Sequence, residues 1–343
     1  MAARAGARVA LYEAKQFPRH KVCGEFVSSE ALQVLSELLG DADCLDSLLN
    51  AAPAVARARL WLGTRMLQTS ISPPARSITR FYLDAALWDV ARSAGVRCYD
   101  NCEVMASEGD GPFELRTAFG TTTAQAVIIA AGRWSQFVAD RALPLGPKWI
   151  GLKAHFREQN PNPSTDLYFF DDGGYCGVQP IASDAVNACA MVRSDRASSL
   201  PELFPLHPAL RERTASWNPL TQTVSTAPLV YRAPQAVRGS VMFVGDAAAF
   251  IDPFVGDGIS IALRSGKLAA ECLGGFFVGS RSLAESAAAY AAEYEQRFVP
   301  LLSAASRIRR VLTLPAAARA IAFELLRIPG IMRLLIRKTR ECA

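Results

Sequence analysis

No stretch of the 343 residues reaches the ~18 uninterrupted apolar positions of a membrane span, and no basic-then-apolar leader opens the chain. Those absences lead us to expect a cytoplasmic protein. Histidine is scarce, three in all, and the eight cysteines include no C-x-x-C pair. A tetrahedral zinc site needs four convergent N or S ligands, so no metal site is expected, nor a disulfide framework. Cys98 and Cys102, the only close pair, read as ordinary thiols in a reducing compartment. Charge of one sign is also lacking: 37 Lys and Arg against 32 Asp and Glu leave +5, too mild to argue for nucleic acid. There is no internal repeat, no low-complexity segment and no nucleophile elbow, which removes solenoid and serine-hydrolase readings.

What is present is a chain half hydrophobic and one fifth charged, long enough for two lobes. The segment AGARVALYEAK carries a short buried strand, Val9 to Tyr12, that closes on Glu13. An acid at a strand's carboxyl end is where dinucleotide folds bind the adenosine ribose. The Gly-rich phosphate turn belongs ~20 residues ahead of such an acid, here before Met1, so the nucleotide lobe reads as N-terminally incomplete. Residues 17–32 form a polar loop running into a helix, with Ser28 and Ser29 as cap candidates. Residues 57–71 alternate as strand material, and 77–95 are helical, with Leu83, Leu87, Val90 and Ala94 in phase and Gly95 as the stop. AVIIAAG (126–132) is a buried parallel-type strand ending on Gly132. From Trp149 to Arg193 the texture changes to period two, the mark of an antiparallel sheet with one face covered and one facing a cavity or solvent.

The most specific stretch is 239–273, GSVMFVGDAAAFIDPFVGDGISIALRSGKLAAECL. A hydrophobic strand delivers Gly245 and Asp246 at its tip, where a carboxylate can accept hydrogen bonds from a polyol. The turn from Pro253 through Gly256, Asp257 and Gly258 lets backbone approach a flat ring, and a helix opens directly at Ile259. The N–H groups and positive end of that helix favour negative charge on the ring's edge.

Residues 239–273 resemble the second flavin-binding motif of the para-hydroxybenzoate hydroxylase type of FAD enzymes, and among these most resemble the geranylgeranyl reductase family. PRHKVCGE (18–25), RFYLDAAL (80–87), AVIIAAGRWS (126–135) and GGYCGVQPI (173–181) follow in the expected order, so the resemblance covers nearly the whole chain. It implies an α/β fold: a Rossmann-type FAD-binding lobe (1–145 and 231–300) interleaved with an antiparallel-sheet substrate lobe (146–230), then basic amphipathic C-terminal helices (301–343). It also implies FAD as cofactor and NAD(P)H as electron donor. By the same resemblance Glu13 holds the adenosine ribose, Arg80 sits at the nucleotide and Val104 brackets adenine. Gly132 lets a strand end approach, Asp246 takes the ribityl chain, and Gly256, Gly258 and Ile259 face the flavin. Cys23, beside Gly24, lies by the flavin and shapes the pocket or assists proton delivery.

The departures are informative. The first Gly-rich turn is absent. Where isoprenoid reductases carry Y-x-W-x-F-P, this chain has Tyr175, Gly177, Gln179 and Pro180, so two aromatic walls are missing, and the W-x-W-x-I-P of flavin halogenases is absent too. Tyr175 and Gln179 are candidate substrate contacts, Tyr175 also a candidate catalytic phenol, against a packed sheet tyrosine as the plain alternative. His155, on an alternating strand, reads as a satisfied sheet residue. The expected activity is reduction of a C=C bond in, or hydroxylation of, a lipophilic small molecule. Its rival is a non-catalytic, flavin-free product of a truncated reading frame. From Pro300 onward nine basic residues face two acidic ones, a local charge of +7. Ile321, Leu325, Ile328, Met332 and Leu335 recur at helical spacing among them, split at Pro329 and Gly330. This predicts either helices packed on the FAD lobe with a solvated basic face, or peripheral contact of 316–340 with an anionic membrane.

Overall fold

The computed structural model describes residues 1–40, 42–133, 136–137, 148–229, 232–250 and 256–328. Its nucleotide-type lobe contains two short parallel pieces. Ala10–Tyr12 pairs with Arg97–Tyr99, and Ile128–Ile129 pairs with Val241–Phe243. Arg80–Ser93 is the helix that feeds the first pair; it stops at Ala94 and turns on Gly95, whose φ of +85° suits glycine. The N-terminal helix Ser29–Leu39 is capped by Ser28, which accepts the N–H of Ala31.

The second strand pair packs on two helices, Gly258–Cys272 and the long Leu283–Leu312. Met242, Phe243, Val244, Ile261, Leu268, Tyr294 and Phe298 form the core there, and the Tyr290 hydroxyl donates to the Phe243 carbonyl at 2.7 Å. Ser282 and Glu285 form a capping box at the start of the long helix.

The other lobe is built on a nine-stranded sheet. Trp149–Arg157, Ala185–Arg193, Tyr175–Ala182 and Ser164–Phe169 follow one another antiparallel, as the alternation predicts. The hairpin Ala54–Leu62 and Arg65–Ser77 joins the same sheet: Arg57 to Leu62 lie parallel to Ser164 to Phe169. Sequence order had assigned 54–77 to the nucleotide lobe. Alternation shows that a strand has two faces, but not which sheet it enters, and here the pairing is made across more than a hundred residues.

The two faces differ. One, carrying Leu152, Ala154, Phe156, Val178, Val186, Ala188, Ala190 and Val192, is covered by helices Leu200–Leu203 and Pro208–Thr214. The register places Gly151, Lys153 and His155 on the opposite face beside Met191, Cys189 and Asn187, then Tyr175, Gly177 and Gln179, then Phe169 and Leu167, then Leu62 and Leu60. That face is polar at the His155 end and apolar at the Tyr175 end.

A glycine-lined cleft and a buried carboxylate

The cleft is assembled from strand ends. Val241–Phe243 delivers Gly245, whose φ of +57° turns the chain; a Cβ there would press within 3.1 Å of Ala262 on the following helix. Asp246 is thereby held at the strand tip. Its side chain is 39 % accessible yet surrounded by protein, as in a cleft, and burial pushes its carboxyl above the usual range while Arg133 and Arg80 pull it down. Arg133, just past Gly132, brings Nη1 within 3.9 Å of the carboxylate and lays its guanidinium 4.5 Å from the Phe250 ring.

Cys23 lies near Arg80, the same guanidinium whose charge acts on Asp246. The Cys23 thiol is pushed up by burial, against the pull of Arg80, so it stays protonated, and its Sγ accepts the Glu25 N–H at 3.3 Å. Asp84 fixes Arg80 with two hydrogen bonds of 2.7 and 2.8 Å. Helix Gly258–Cys272 opens toward the loop: Gly256 lies against the Phe26 ring, Asp257 occupies the N-cap position, and Ile259 packs with Val27, Ala31 and Leu83. Pro253 lies outside the described residues.

Does this set suit FAD? Among the described residues, an added Cβ at Gly24, Gly132 or Gly258 would meet nothing within 4 Å, so each of these three segments leaves room beside its glycine. An uncapped helix N-terminus, two arginines and a half-accessible carboxylate border the cleft as well. These residues fit the flavin and ribityl portion. At the other end, Glu13 follows its strand as expected and accepts from Lys15 N at 2.9 Å, with Arg19 at 3.4 Å. Cys102 N donates to the Glu13 carbonyl, and Val104 follows at the start of Val104–Glu108, so the adenosine candidates share one end. Ahead of Ala10 stands a single 3₁₀ turn, Ala3–Ala5, which offers no helix N-terminus for a pyrophosphate.

Tyr175 is buried with Phe169, Met191, Leu229 and Phe250 at the apolar end of this second sheet face, and Phe250 links it to Arg133 and the cleft. Gln179 is also buried but committed elsewhere, its Nε2 donating to Ser77 Oγ at 2.8 Å.

Two features escaped the sequence reading. One is Arg133, inside a quoted motif but given no role. The other is Glu25. It is fully buried at φ +61°, a region non-glycine residues rarely visit. Oε1 accepts the Arg80 N–H at 3.0 Å, so the side chain caps helix Arg80–Ser93 from outside, where Thr79 makes no cap bond. Lys153 Nζ stands 3.0 Å from Oε1, and His155 Nε2 donates to Oε2 at 2.8 Å. Burial pushes the Glu25 carboxyl up, but the bond from His155, the charge of Lys153 and the Arg80 N–H outweigh it and hold it below the ordinary range. Lys153 also donates to His20 Nδ1 at 3.3 Å; burial, then Lys153 and His155, push His20 down and keep it neutral. The ligand atoms of His20, Glu25 and His155 lie within 4.8 Å of one another, but the Lys153 ammonium fills the place a metal cation would take.

Comparison with known proteins agrees with this geometry. The sequence pattern of the family described as "FAD dependent oxidoreductase" matches residues 1–272. Menaquinone reductase of Mycolicibacterium smegmatis is 26 % identical over 343 aligned residues, covering 92 % of this chain and 81 % of that protein. Conditioned medium factor receptor 1 of Dictyostelium discoideum is 24 % identical over 79 % of this chain and 59 % of its own length. Among solved structures, a geranylgeranyl bacteriochlorophyll reductase-like protein of Thermoplasma acidophilum superimposes with a TM-score of 0.78 at 19 % identity, covering 99 % of this chain and 91 % of the other. A flavin-dependent brominase gives 0.79 at 20 %, covering 98 % and 88 %.

Proposed function

The chain belongs to the FAD dependent oxidoreductase family, and from that premise we propose that it reduces a C=C bond of a polyprenyl-type lipid, such as an isoprenoid quinone, where the glycine-lined cleft meets the Tyr175 end of the second sheet face. The observation that carries this reading is the continuity of the two. Arg133 touches Asp246 on one side and Phe250 on the other, and Phe250 joins Tyr175, Phe169 and Met191, with Leu60, Leu62 and Leu167 half-buried beyond. An apolar chain would approach over the half-buried Leu60, Leu62 and Leu167, with its reacting part at the cleft. The menaquinone reductase relatives favour reduction over hydroxylation. Halogenation is disfavoured despite the brominase-like fold, because the W-x-W-x-I-P signature of flavin halogenases is absent from the sequence.

FAD, when bound, supplies hydride transfer to carbon. The chain's own residues do the rest. Asp246 and Arg133 orient the ribityl side, and the N-terminus of helix Gly258–Cys272 favours negative charge on the ring. Phe250 and Tyr175 exclude water. The Cys23 thiol, kept protonated, can donate a hydrogen bond into the cleft. NAD(P)H is the proposed electron donor, and the cytoplasmic side the proposed location.

The test is anaerobic turnover of a detergent-dispersed isoprenoid quinone with NADPH or dithionite, followed by mass spectrometry. A gain of two hydrogens that persists after the product is reoxidised in air, so that it lies on a carbon–carbon bond and not on the quinone oxygens, and that is absent without protein, supports the reading. A product formed only with O₂ and heavier by one oxygen would replace it with hydroxylation, and an unchanged lipid under both conditions would refute it.

A further inference from the structure

The last described helix, Ala316–Leu325, is turned inside out. Its buried residues are Arg319 and Phe323, whereas Ile321, Leu325 and the following Ile328 are 64, 51 and 48 % exposed. These three sit at i, i+4 and i+7, one stripe pointing to solvent, with Leu314 and Val311 exposed just before the helix. Packing on the lobe with the apolar stripe inward, the plainer expectation from the sequence, is thus not what the structure shows. Arg319 points in because it has a partner there: Nη1 donates to the Phe170 carbonyl at 2.7 Å. Arg309, on the preceding helix, donates to the Gly173 carbonyl and stacks over Trp149 at 4.9 Å. Two arginines therefore clamp the turn between strands Ser164–Phe169 and Tyr175–Ala182, and a Cβ at Gly173 would meet the Leu312 carbonyl at 3.2 Å. Leu312 itself packs on the Phe169, Tyr175 and Met191 cluster. The exposed stripe begins where the apolar end of the second sheet face stops.

We propose that this stripe is the surface by which the protein docks on an anionic membrane, delivering a lipid from the bilayer past Leu312 toward the Tyr175 end of the second sheet face. The delivery clause rests on the reading of the substrate given above; the docking does not. Charge selects the occupant. From Pro300 onward the chain carries +7, and its one acid within the described residues, Glu324, is paired with Arg65 at 3.1 Å and Arg327 at 3.4 Å. An apolar stripe on a segment whose exposed described cations are Arg307, Arg310 and Arg327 matches an anionic lipid surface better than a second copy with the same charge. Among the described residues no helix is long and apolar enough to cross a membrane, so the contact is peripheral.

Co-sedimentation of the full-length flavin-loaded chain with phosphatidylglycerol-containing and pure phosphatidylcholine vesicles tests this. We expect binding to the anionic vesicles only, weakened at least tenfold by high salt. The double substitution Ile321→Glu and Leu325→Glu is expected to weaken binding at least tenfold, with melting temperature, flavin content and turnover of detergent-dispersed lipid unchanged. Turnover of vesicle-embedded lipid is expected to fall by the same factor. Wild type left in the supernatant with anionic vesicles, or a double variant that still sediments, overturns the proposal. So does a wild-type dimer that the double variant converts to monomer while neither binds vesicles, because the occupant is then a second copy. Vesicle binding without turnover of any lipid would instead overturn the reductase reading and leave docking intact.

Discussion

Glu25→Gln should be among the most destabilising near-isosteric changes available in this chain. The carboxylate takes three donors: the Arg80 N–H from one helix, and His155 Nε2 and Lys153 Nζ from one strand. Glutamine keeps one acceptor for Arg80, but its amide N–H then faces the Nε2–H of His155. Lys153, with no accessible surface, loses its counter-charge. Removing one partner of a buried pair costs about 3–5 kcal/mol. At about 2.1 cal/mol/K per residue, 343 residues give an unfolding entropy of about 0.7 kcal/mol/K, so Tm should drop by about 4–7 °C. Adding Lys153→Met removes both charges, and the double variant should recover most of the loss. Thermal melts at neutral pH read this directly. The sign of the pH dependence follows from the depressed carboxyl: its stabilisation is complete above the ordinary Glu value of about 4.3 and is lost as pH falls through the lower folded value. The gap between wild type and Glu25→Gln should therefore close on acidification. A loss under 1 kcal/mol, or a double variant no better than the single, would refute the hub.

Asp246→Ala should weaken FAD retention by about 10- to 100-fold, the worth of a charge-assisted hydrogen bond, with circular dichroism unchanged; unaltered retention in dialysis would remove Asp246 from the site. Gly177→Trp puts bulk on the second sheet face, where a Cβ already lies 3.3 Å from Leu167, and should raise KM for lipid while the flavin spectrum stays constant. A KM equal to wild type would place substrate elsewhere. Cys23, held protonated, should resist iodoacetamide until pH exceeds the ordinary thiol value of about 8.5. Rapid labelling at neutral pH, followed by peptide mapping, would contradict the burial argument.

Local order was legible in the sequence and distant partnership was not. Gly245, Asp246 and Gly258 could be placed because strand, turn and helix are contiguous there, and the structure assembles them as the order implies. The same holds for Ser28 as a cap and for Glu13 at its strand end. Glu25 and His155 lie 130 residues apart, and neither segment alone shows that the other supplies its counterpart. His155 does prove satisfied, though by a buried carboxylate and not merely by the sheet. Hairpin 54–77 alternates identically whichever sheet it joins. In helix Ala316–Leu325 periodicity revealed a stripe, while its direction depended on Arg319 finding the Phe170 carbonyl.

The parallel pairing of Arg57 to Leu62 with Ser164 to Phe169 also sets a timetable for biosynthesis. Hairpin 54–77 emerges from the ribosome about a hundred residues before its partner strand, a wait of about 5–20 s at about 5–20 residues per second. During that interval Leu60, Trp61 and Leu62 are a naked strand edge, free to pair with another nascent chain. Yield should accordingly be limited by the hairpin's exposure to neighbouring polysomes. Slower initiation, which spaces nascent chains apart, should raise the soluble fraction more than slower elongation, which prolongs the wait.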